Sequence, residues 1–312
     1  MEIFRSLDLI KNRPDCYLTI GSFDGLHRGH QEVVKKVVAY AHTHDSPAVV
    51  ISFDPHPQHV LNPAAERLPL LMSISKKLKI LEWLNVDQAV ILPFTTEFSR
   101  ITATAFLENI ILEKFNPTRV VIGYDHHFGY GREGSPDFIN SQLSPRGIDV
   151  EVVDPVHDEN VIISSTHIRE LIKAGFVRRA SFELGWVYGF DATVVAGAGR
   201  GRSLQFPTAN FIPLEKNQLL PGQGVYFTRG RLNSKNIYGM CNLGTRPTFD
   251  EGGFVMEVHF FEKIDEELYG RQIAIEFLER IRDEKKFDSA EALIEQLEED
   301  KQNCFELLSK YK

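Results

Sequence analysis

Residues 19–30 read Thr-Ile-Gly-Ser-Phe-Asp-Gly-Leu-His-Arg-Gly-His, between the apolar Cys16-Tyr17-Leu18 and the helix-like Gln31-Glu32-Val33-Val34. The order is strand, glycine-rich turn, helix. Gly21, Gly25 and Gly29, with Phe23 and Asp24 between the first two, let the backbone turn sharply and approach a ligand closely. The first amides of the following helix point back into the turn with the positive end of the helix dipole, where anions settle. His27 and His30, three residues apart, add two hydrogen-bond donors. A triphosphate fits such a place. A turn that only needs glycine and a partial metal site are the other readings, though two histidines without a third ligand nearby make a poor zinc site.

Three further stretches of the first half carry polar chemistry. In 163–169, Ile-Ser-Ser-Thr-His-Ile-Arg, the hydroxyls of Ser164, Ser165 and Thr166 can cap a helix. Arg169 is expected in the first turn of that helix, where a cation opposes the dipole unless a phosphate is present. Such a second clamp would offset charge on a leaving pyrophosphate. The stretch 121–132 sets Tyr124, Asp125, Phe128, Tyr130 and Arg132 among glycines, as a loop covering a flat ring and its phosphate would, or as a plain surface loop. Phe53, followed by Asp54-Pro55-His56-Pro57, is a stiff turn able to line the same crevice.

The second half has its own set. Thr208 and Asn210, in Phe206-Pro207-Thr208-Ala209-Asn210, put a hydroxyl and an amide oxygen on one side of an extended segment. Hard oxygen donors of this kind suit Mg2+ bound to a nucleotide. The glycine-rich 196–202, with Gly199 and Arg202, can wrap phosphates, although solvent loops look the same. In 254–260, alternation places Phe254, Met256, Val258 and Phe260 on one face and Glu257 on the other with Val255 and His259. By itself a strand carboxylate is an exposed polar position.

The elements that must position these residues change character along the chain. Up to about residue 173, short apolar runs (17–20, 48–53, 88–92, 119–123, 149–153) alternate with helical spacings such as Val33, Val34, Val37, Val38 and Ala41. Strands buried on both faces and separated by amphipathic helices indicate a parallel, Rossmann-like α/β sheet. Ligands gather beyond the carboxyl ends of such strands. From about residue 186, turns separate the strand-like runs 188–195, 225–231, 236–240, 254–261 and 272–277, which favours an antiparallel β-barrel or sandwich. A terminal α-helix follows, capped by Asp288 or Ser289 and carrying Leu293, Leu297, Cys304 and Leu308 on one side. The expected domains are 1–184 and 185–312, joined through 174–185.

Composition bounds the function classes. The chain has 312 residues, 43% hydrophobic and 25% charged, which suits a soluble protein of two domains. Its 35 basic and 43 acidic residues leave a net charge of -8, against nucleic acid as the main partner. No apolar run is long enough to cross a membrane, and no signal segment opens the sequence. The three cysteines, Cys16, Cys241 and Cys304, imply neither a disulfide framework nor a zinc knuckle. A cytoplasmic location is expected.

The motifs in this order resemble the bacterial bifunctional riboflavin kinase/FMN adenylyltransferases, also called FAD synthetases, over essentially the whole chain. His-x-Gly-His alone would match only the nucleotidyltransferase superfamily. The Phe-x-Pro-His-Pro, Gly-x-Asp and Ile-Ser-Ser-Thr-x-Ile-Arg stretches and Phe-Pro-Thr-Ala-Asn make the resemblance specific. It implies an N-terminal nucleotidyltransferase domain and a C-terminal kinase β-barrel, with riboflavin, FMN and ATP as ligands, Mg2+ as cofactor and no obligate protein partner. It further implies Glu257 as catalytic base of the kinase. His27, His30 and Arg169 would act on the triphosphate with Gly21, Phe23, Asp24, Gly25, Gly29, Ser164, Ser165 and Thr166, while Gly199 and Arg202 would serve the kinase nucleotide. Phe53, Pro55, His56, Pro57, Asp125 and Phe128 would line the flavin site, and Thr208 and Asn210 would hold the metal. The chain departs from the family pattern at Gln205, usually glycine, and at His126 and His127, where an aromatic and then a basic or small residue are usual.

Overall fold

The structure is a computed structural model that describes residues 1–10, 15–62, 67–197, 206–245, 254–264 and 266–311. It divides into two compact units, Met1–Ser165 and Thr166–Lys312. Glycine-rich 198–205, with Gly199 and Arg202, lies outside the described residues.

The first unit is built on a six-stranded sheet in the order β1-β4-β3-β2-β5-β6, with every pairing parallel. The strands are β1 (Glu2–Phe4), β2 (Tyr17–Ile20), β3 (Ala48–Asp54), β4 (Gln88–Pro93), β5 (Arg119–Gly123) and β6 (Asp149–Val153). Val50, Ile51, Val90, Val121 and Ile122 are almost wholly buried, as strands covered on both faces must be. Each such side chain contributes about 1.5–3 kcal/mol of hydrophobic stabilisation. The helices are α1 (Arg28–Thr43), α2 (Pro57–Leu61), α3 (Ile74–Trp83), α4 (Ala103–Phe106, running on as a π-helical Leu107–Phe115) and α5 (Pro136–Leu143). Val33, Val37 and Ala41 of α1 pack on Tyr17, Ala48, Val121 and Val153. All five expected strands are present. The sequence pattern missed β1, a three-residue edge strand with two exposed positions, and the small hairpin β7 (His157–Asp158) and β8 (Val161–Ile162).

The sheet order decides where a ligand sits. β3 and β5 flank β2 on opposite sides, so the connections leaving β2 and β5 diverge at their carboxyl ends. That divergence is the switch point at which open α/β sheets form a crevice.

The second unit begins with α6, whose helix runs from Ser165 at the division to Lys173, and α7 (Val177–Leu184). It continues as a closed barrel, β10-β13-β12-β11-β14-β9. Its strands are β9 (Gly189–Val195), β10 (Ala209–Pro213), β11 (Gly224–Leu232), β12 (Lys235–Thr245), β13 (Phe254–Phe260) and β14 (Gln272–Arg282), all antiparallel to their neighbours. Closure leaves no sheet edge. β10 was not among the expected strands, because its five residues include Asn210 and end in Pro213. The terminal helix α8 (Ala290–Leu308) is capped by Ser289, whose hydroxyl accepts the Ala292 amide. Arg282 of β14 grips the buried Asp300 carboxylate of α8 through Nε and Nη2, at 2.9 and 2.8 Å. α7 and α6 are tied to the barrel by Arg178–Glu279 and by the Gly222 amide on the Ile172 carbonyl.

Candidate functional site

In the first unit the turn between β2 and α1 is held from several sides. His27 is the N-cap of α1, and its Nδ1 accepts the His30 amide at 3.4 Å. With Nδ1 accepting, the neutral His27 ring carries its proton on Nε2. The His27 and His30 rings stack with centroids 3.6 Å apart. Gly25 has φ 82°, in the left-handed region that glycine enters without strain. The Asp24 carboxylate accepts the Leu71 amide at 3.2 Å, and the Asp24 carbonyl accepts Ser165 Oγ at 2.8 Å. Asp24 thus shapes the turn. Burial, then His27 and Lys77, hold the His30 imidazole well below its usual pKa, so it is neutral near pH 7.

Beside this turn is a cavity of about 340 Å³ at the carboxyl ends of the strands. Gly21, Phe23 and His30 line it from the turn, Phe53, His56 and Pro57 from β3 and its exit, and Asp125, His126, Phe128 and Arg132 from the loop after β5. One wall is aromatic, with Phe53 against Phe94 and Phe98 at 5.5 and 5.7 Å, and Phe106 against Phe128 at 5.2 Å. Thr19 Oγ1, His30 Nδ1 and His126 Nε2 are buried and have no hydrogen-bond partner. A mostly apolar chamber with a few convergent polar atoms suits a planar heteroaromatic ligand. Burial lowers the His126 pKa to about 4, leaving its ring neutral.

Several residues singled out in the sequence do not line this cavity. Asp24, Gly25, His27, Gly29, Pro55, Ser164 and Ser165 are not among its lining residues, and Asp24, His27 and Ser165 instead hold the turn's shape. Arg169 is the fifth residue of α6, one position past the first turn where it was expected, because the helix already begins at Ser165. It and Thr166 belong to the second unit, and Arg169 is buried. The sequence reading missed Thr19, Phe94, Phe98, Ile101, Phe106 and Lys77. Phe94 follows directly on the carboxyl end of β4, so the strand-end rule applied to β2, β3 and β5 would have found it.

In the second unit the barrel register builds the site. Asn210 of β10 pairs with Glu257 of β13, which pairs with Asn242 of β12. Residues directly opposite in a ladder project from the same face. Their neighbours Met256, Val258, Cys241 and Leu243 are buried on the other face, as alternation predicts. The result is a polar row, Asn210–Glu257–Asn242, on the outside of the barrel. Gly197 lies so close to Asn210 that a Cβ there would come within 1.9 Å of Nδ2, so only glycine fits over that amide. Burial, and then the Glu257 carboxylate nearby, pushes the Cys241 thiol up and keeps it protonated.

His259, on the same face of β13, is turned to a different task. Its Nδ1 donates to the Pro207 carbonyl at 2.9 Å, and its ring packs on Phe206 at 5.0 Å. Lys301 of α8 lies 5.8 Å from the other partner's ring, that of Phe206. These contacts hold the Phe206–Pro207 approach to the half-buried Thr208 and to Asn210. Among the described residues no group of three His, Cys, Asp or Glu side chains could hold a metal by itself.

Residues 9–167 match the FAD synthetase family model, and residues 184–308 match the riboflavin kinase model. A bifunctional riboflavin kinase/FMN adenylyltransferase of Listeria monocytogenes is 34% identical, covering 92% of this chain and 90% of that protein. Proteins of the same description from Bacillus subtilis and Escherichia coli K12 are 32% and 31% identical, over 94% and 96% of this chain. A solved structure from Streptococcus pneumoniae, described as a macrolide-efflux protein, is 30% identical with a TM-score of 0.86 over 96% of this chain and 97% of that one. Among the described residues of this chain no helix is long and apolar enough to cross a membrane.

Proposed function

The chain belongs to the bifunctional riboflavin kinase/FMN adenylyltransferase family, and on that premise we propose that it phosphorylates riboflavin to FMN and then adenylylates FMN to FAD, using one ATP in each step. The adenylyl step is assigned to 1–184 and the kinase step to 185–312. The observation that carries the first assignment is the aromatic-walled cavity of about 340 Å³ that ends on the His27–His30 turn. It offers a flat apolar surface for the flavin beside an anion-binding helix start.

In the adenylyl step a phosphate oxygen of FMN attacks the α-phosphorus of ATP, the bond to the bridging oxygen breaks, and pyrophosphate leaves. The nucleophile is already anionic, so positioning and charge stabilisation suffice. His27, through the proton on Nε2, and neutral His30 donate to the triphosphate. Ser164 belongs to the same clamp on the leaving group. Phe53, His56, Pro57, Asp125 and Phe128 hold the flavin.

In the kinase step Glu257 takes the proton of the ribityl 5′-hydroxyl as its oxygen attacks the γ-phosphorus, and ADP leaves. Thr208 and Asn210 would supply hard oxygen donors for Mg2+ beside Glu257 across the β10–β13 ladder, with nucleotide phosphates completing the set. The metal would offset phosphate charge in the transition state. Gly199 and Arg202 would cover the phosphates. Three cysteines, all free and buried, suit the reducing cytoplasm.

The test is direct. Purified protein incubated with riboflavin, ATP and Mg2+ should convert riboflavin to FMN and then FAD, separated by chromatography. Flavin that is bound but unchanged while ATP is not consumed would favour a flavin-binding regulator.

A further inference from the structure

Lys77 is an unusual residue in the first unit: a lysine 6% exposed, pointing from α3 to the underside of the glycine turn. Its Nζ donates to the Ser22 carbonyl at 2.6 Å and to Ser52 Oγ at 3.1 Å. Ser52 Oγ in turn donates to the same Ser22 carbonyl at 3.2 Å. None of these partners carries a charge. The Asp24 and Asp54 carboxylates favour the ammonium through their charge, while the hydrogen bonds of its Nζ go to neutral groups. From α1, neutral His30 faces the same centre.

A buried cation whose hydrogen bonds go to neutral groups is costly, and such groups are rarely kept without a use. Here the charge sits directly beneath the backbone that bends around the expected triphosphate. We propose that Lys77 is a positioning residue of the adenylyl site: its ammonium braces the Ser22 carbonyl and supplies, from below the glycine turn, positive charge that Asp24 and Asp54 offset in part and that a polyphosphate bound above it would balance further. This rests on the glycine turn being the ATP site. Asp24, with its carboxylate on the Leu71 amide, and Ser52 fix the height of the turn over Lys77. Lys77 never touches the ligand and acts through the Ser22–Asp24 backbone.

Burial lowers the Lys77 pKa to about 8, with Asp24 and Asp54 pulling weakly the other way. A polyanion above the turn favours the ammonium and raises that value. By linkage, ATP then binds more weakly as pH climbs past 8, because the free protein has lost the proton that the complex holds.

The measurement is the KM for ATP in FAD formation from supplied FMN, between pH 7 and pH 10, where the kinase site plays no part. For the unaltered protein KM should rise about tenfold per pH unit above 8, until the raised value of the complex is reached. Lys77→Met should show a KM already raised about tenfold at pH 7, and no such climb. Lys77→Arg, charged throughout, should stay flat and low. A Lys77→Met curve parallel to that of the unaltered protein would overturn the proposal. If neither variant folds, side-chain amine NMR of lysine-labelled full-length protein decides: added pyrophosphate must raise the midpoint of the earliest-titrating lysine, and an unmoved midpoint overturns the proposal. His30→Ala separates the two levels. Should it leave FAD formation intact, the turn is not the ATP site; should it abolish FAD formation while the Lys77 prediction fails, only the role of Lys77 falls.

Discussion

Asn210 and Glu257 face each other directly across the β10–β13 ladder, and Asn242 stands on the far side of Glu257. Paired positions of this kind bring Cβ atoms to about 5 Å. The proposed metal donor and the proposed base are thereby fixed at adjacent places by backbone register. Sites carried on strands in this way hold their geometry well.

The first prediction follows from that pair. Glu257→Gln preserves size and hydrogen bonding and removes the proton acceptor. FMN formation from riboflavin should fall about a hundredfold or more, with riboflavin and ATP binding little changed. His259 also shapes the loop, since its Nδ1 donates to the Pro207 carbonyl. His259→Phe should instead raise the KM for ATP, because the Phe206–Pro207 approach loosens. Stopped-flow product analysis of the two variants distinguishes a lost base from a loosened loop.

A second prediction concerns acid. The His126 pKa is depressed to about 4 in the fold, whereas an unfolded histidine titrates near 6.5. Between these values the unfolded chain binds a proton that the folded one does not, so stability falls as pH drops from about 6.5 toward 4. By pH 5 the loss should reach about 2 kcal/mol for the first unit. His126→Phe, which restores an aromatic in contact with Phe128, should flatten that limb in urea titrations at pH 7, 6 and 5. An unchanged limb would move the acid sensitivity to His30.

A third prediction tests the anchorage of the last helix. Asp300→Ala leaves Arg282 partly buried without its carboxylate and should destabilise the second unit by roughly 3 kcal/mol. Thermal unfolding should show the loss. Since Lys301 of the same helix lies by Phe206, kinase activity should soften before the barrel melts.

Much of this was legible in the sequence, and the failures have physical causes. Strands with continuous apolar runs, such as 48–53 and 119–123, announce themselves because burial on both faces demands such runs. The glycine turn and the Thr208/Asn210 pair stand out in the sequence because chemistry restricts residue types at fixed spacing, whereas Glu257 is singled out only by the family resemblance. Lys77 and Phe94 do not stand out. Both are made important by tertiary closure: Lys77 lies in an ordinary helix and reaches Ser22 across 55 positions of sequence. Arg169 falls one residue past its expected turn because a helix start among consecutive Ser and Thr residues is poorly fixed by composition. The change of sequence pattern near 185 marks where strands begin, while compactness divides the chain at Ser165, since α6 and α7 are tied to the barrel through contacts that sequence does not display.

The central claim is that one chain holds two independent sites, and a complementation chromatogram tests it most directly. Given riboflavin, ATP and Mg2+, His30→Ala alone should accumulate FMN with FAD formation reduced tenfold or more, and Glu257→Gln alone should leave riboflavin unchanged. An equimolar mixture of the two should restore FAD, made by the intact adenylyl site of one protein from FMN released by the other. Loss of both products in folded His30→Ala, or no FAD from the mixture although FMN is present, would contradict the account.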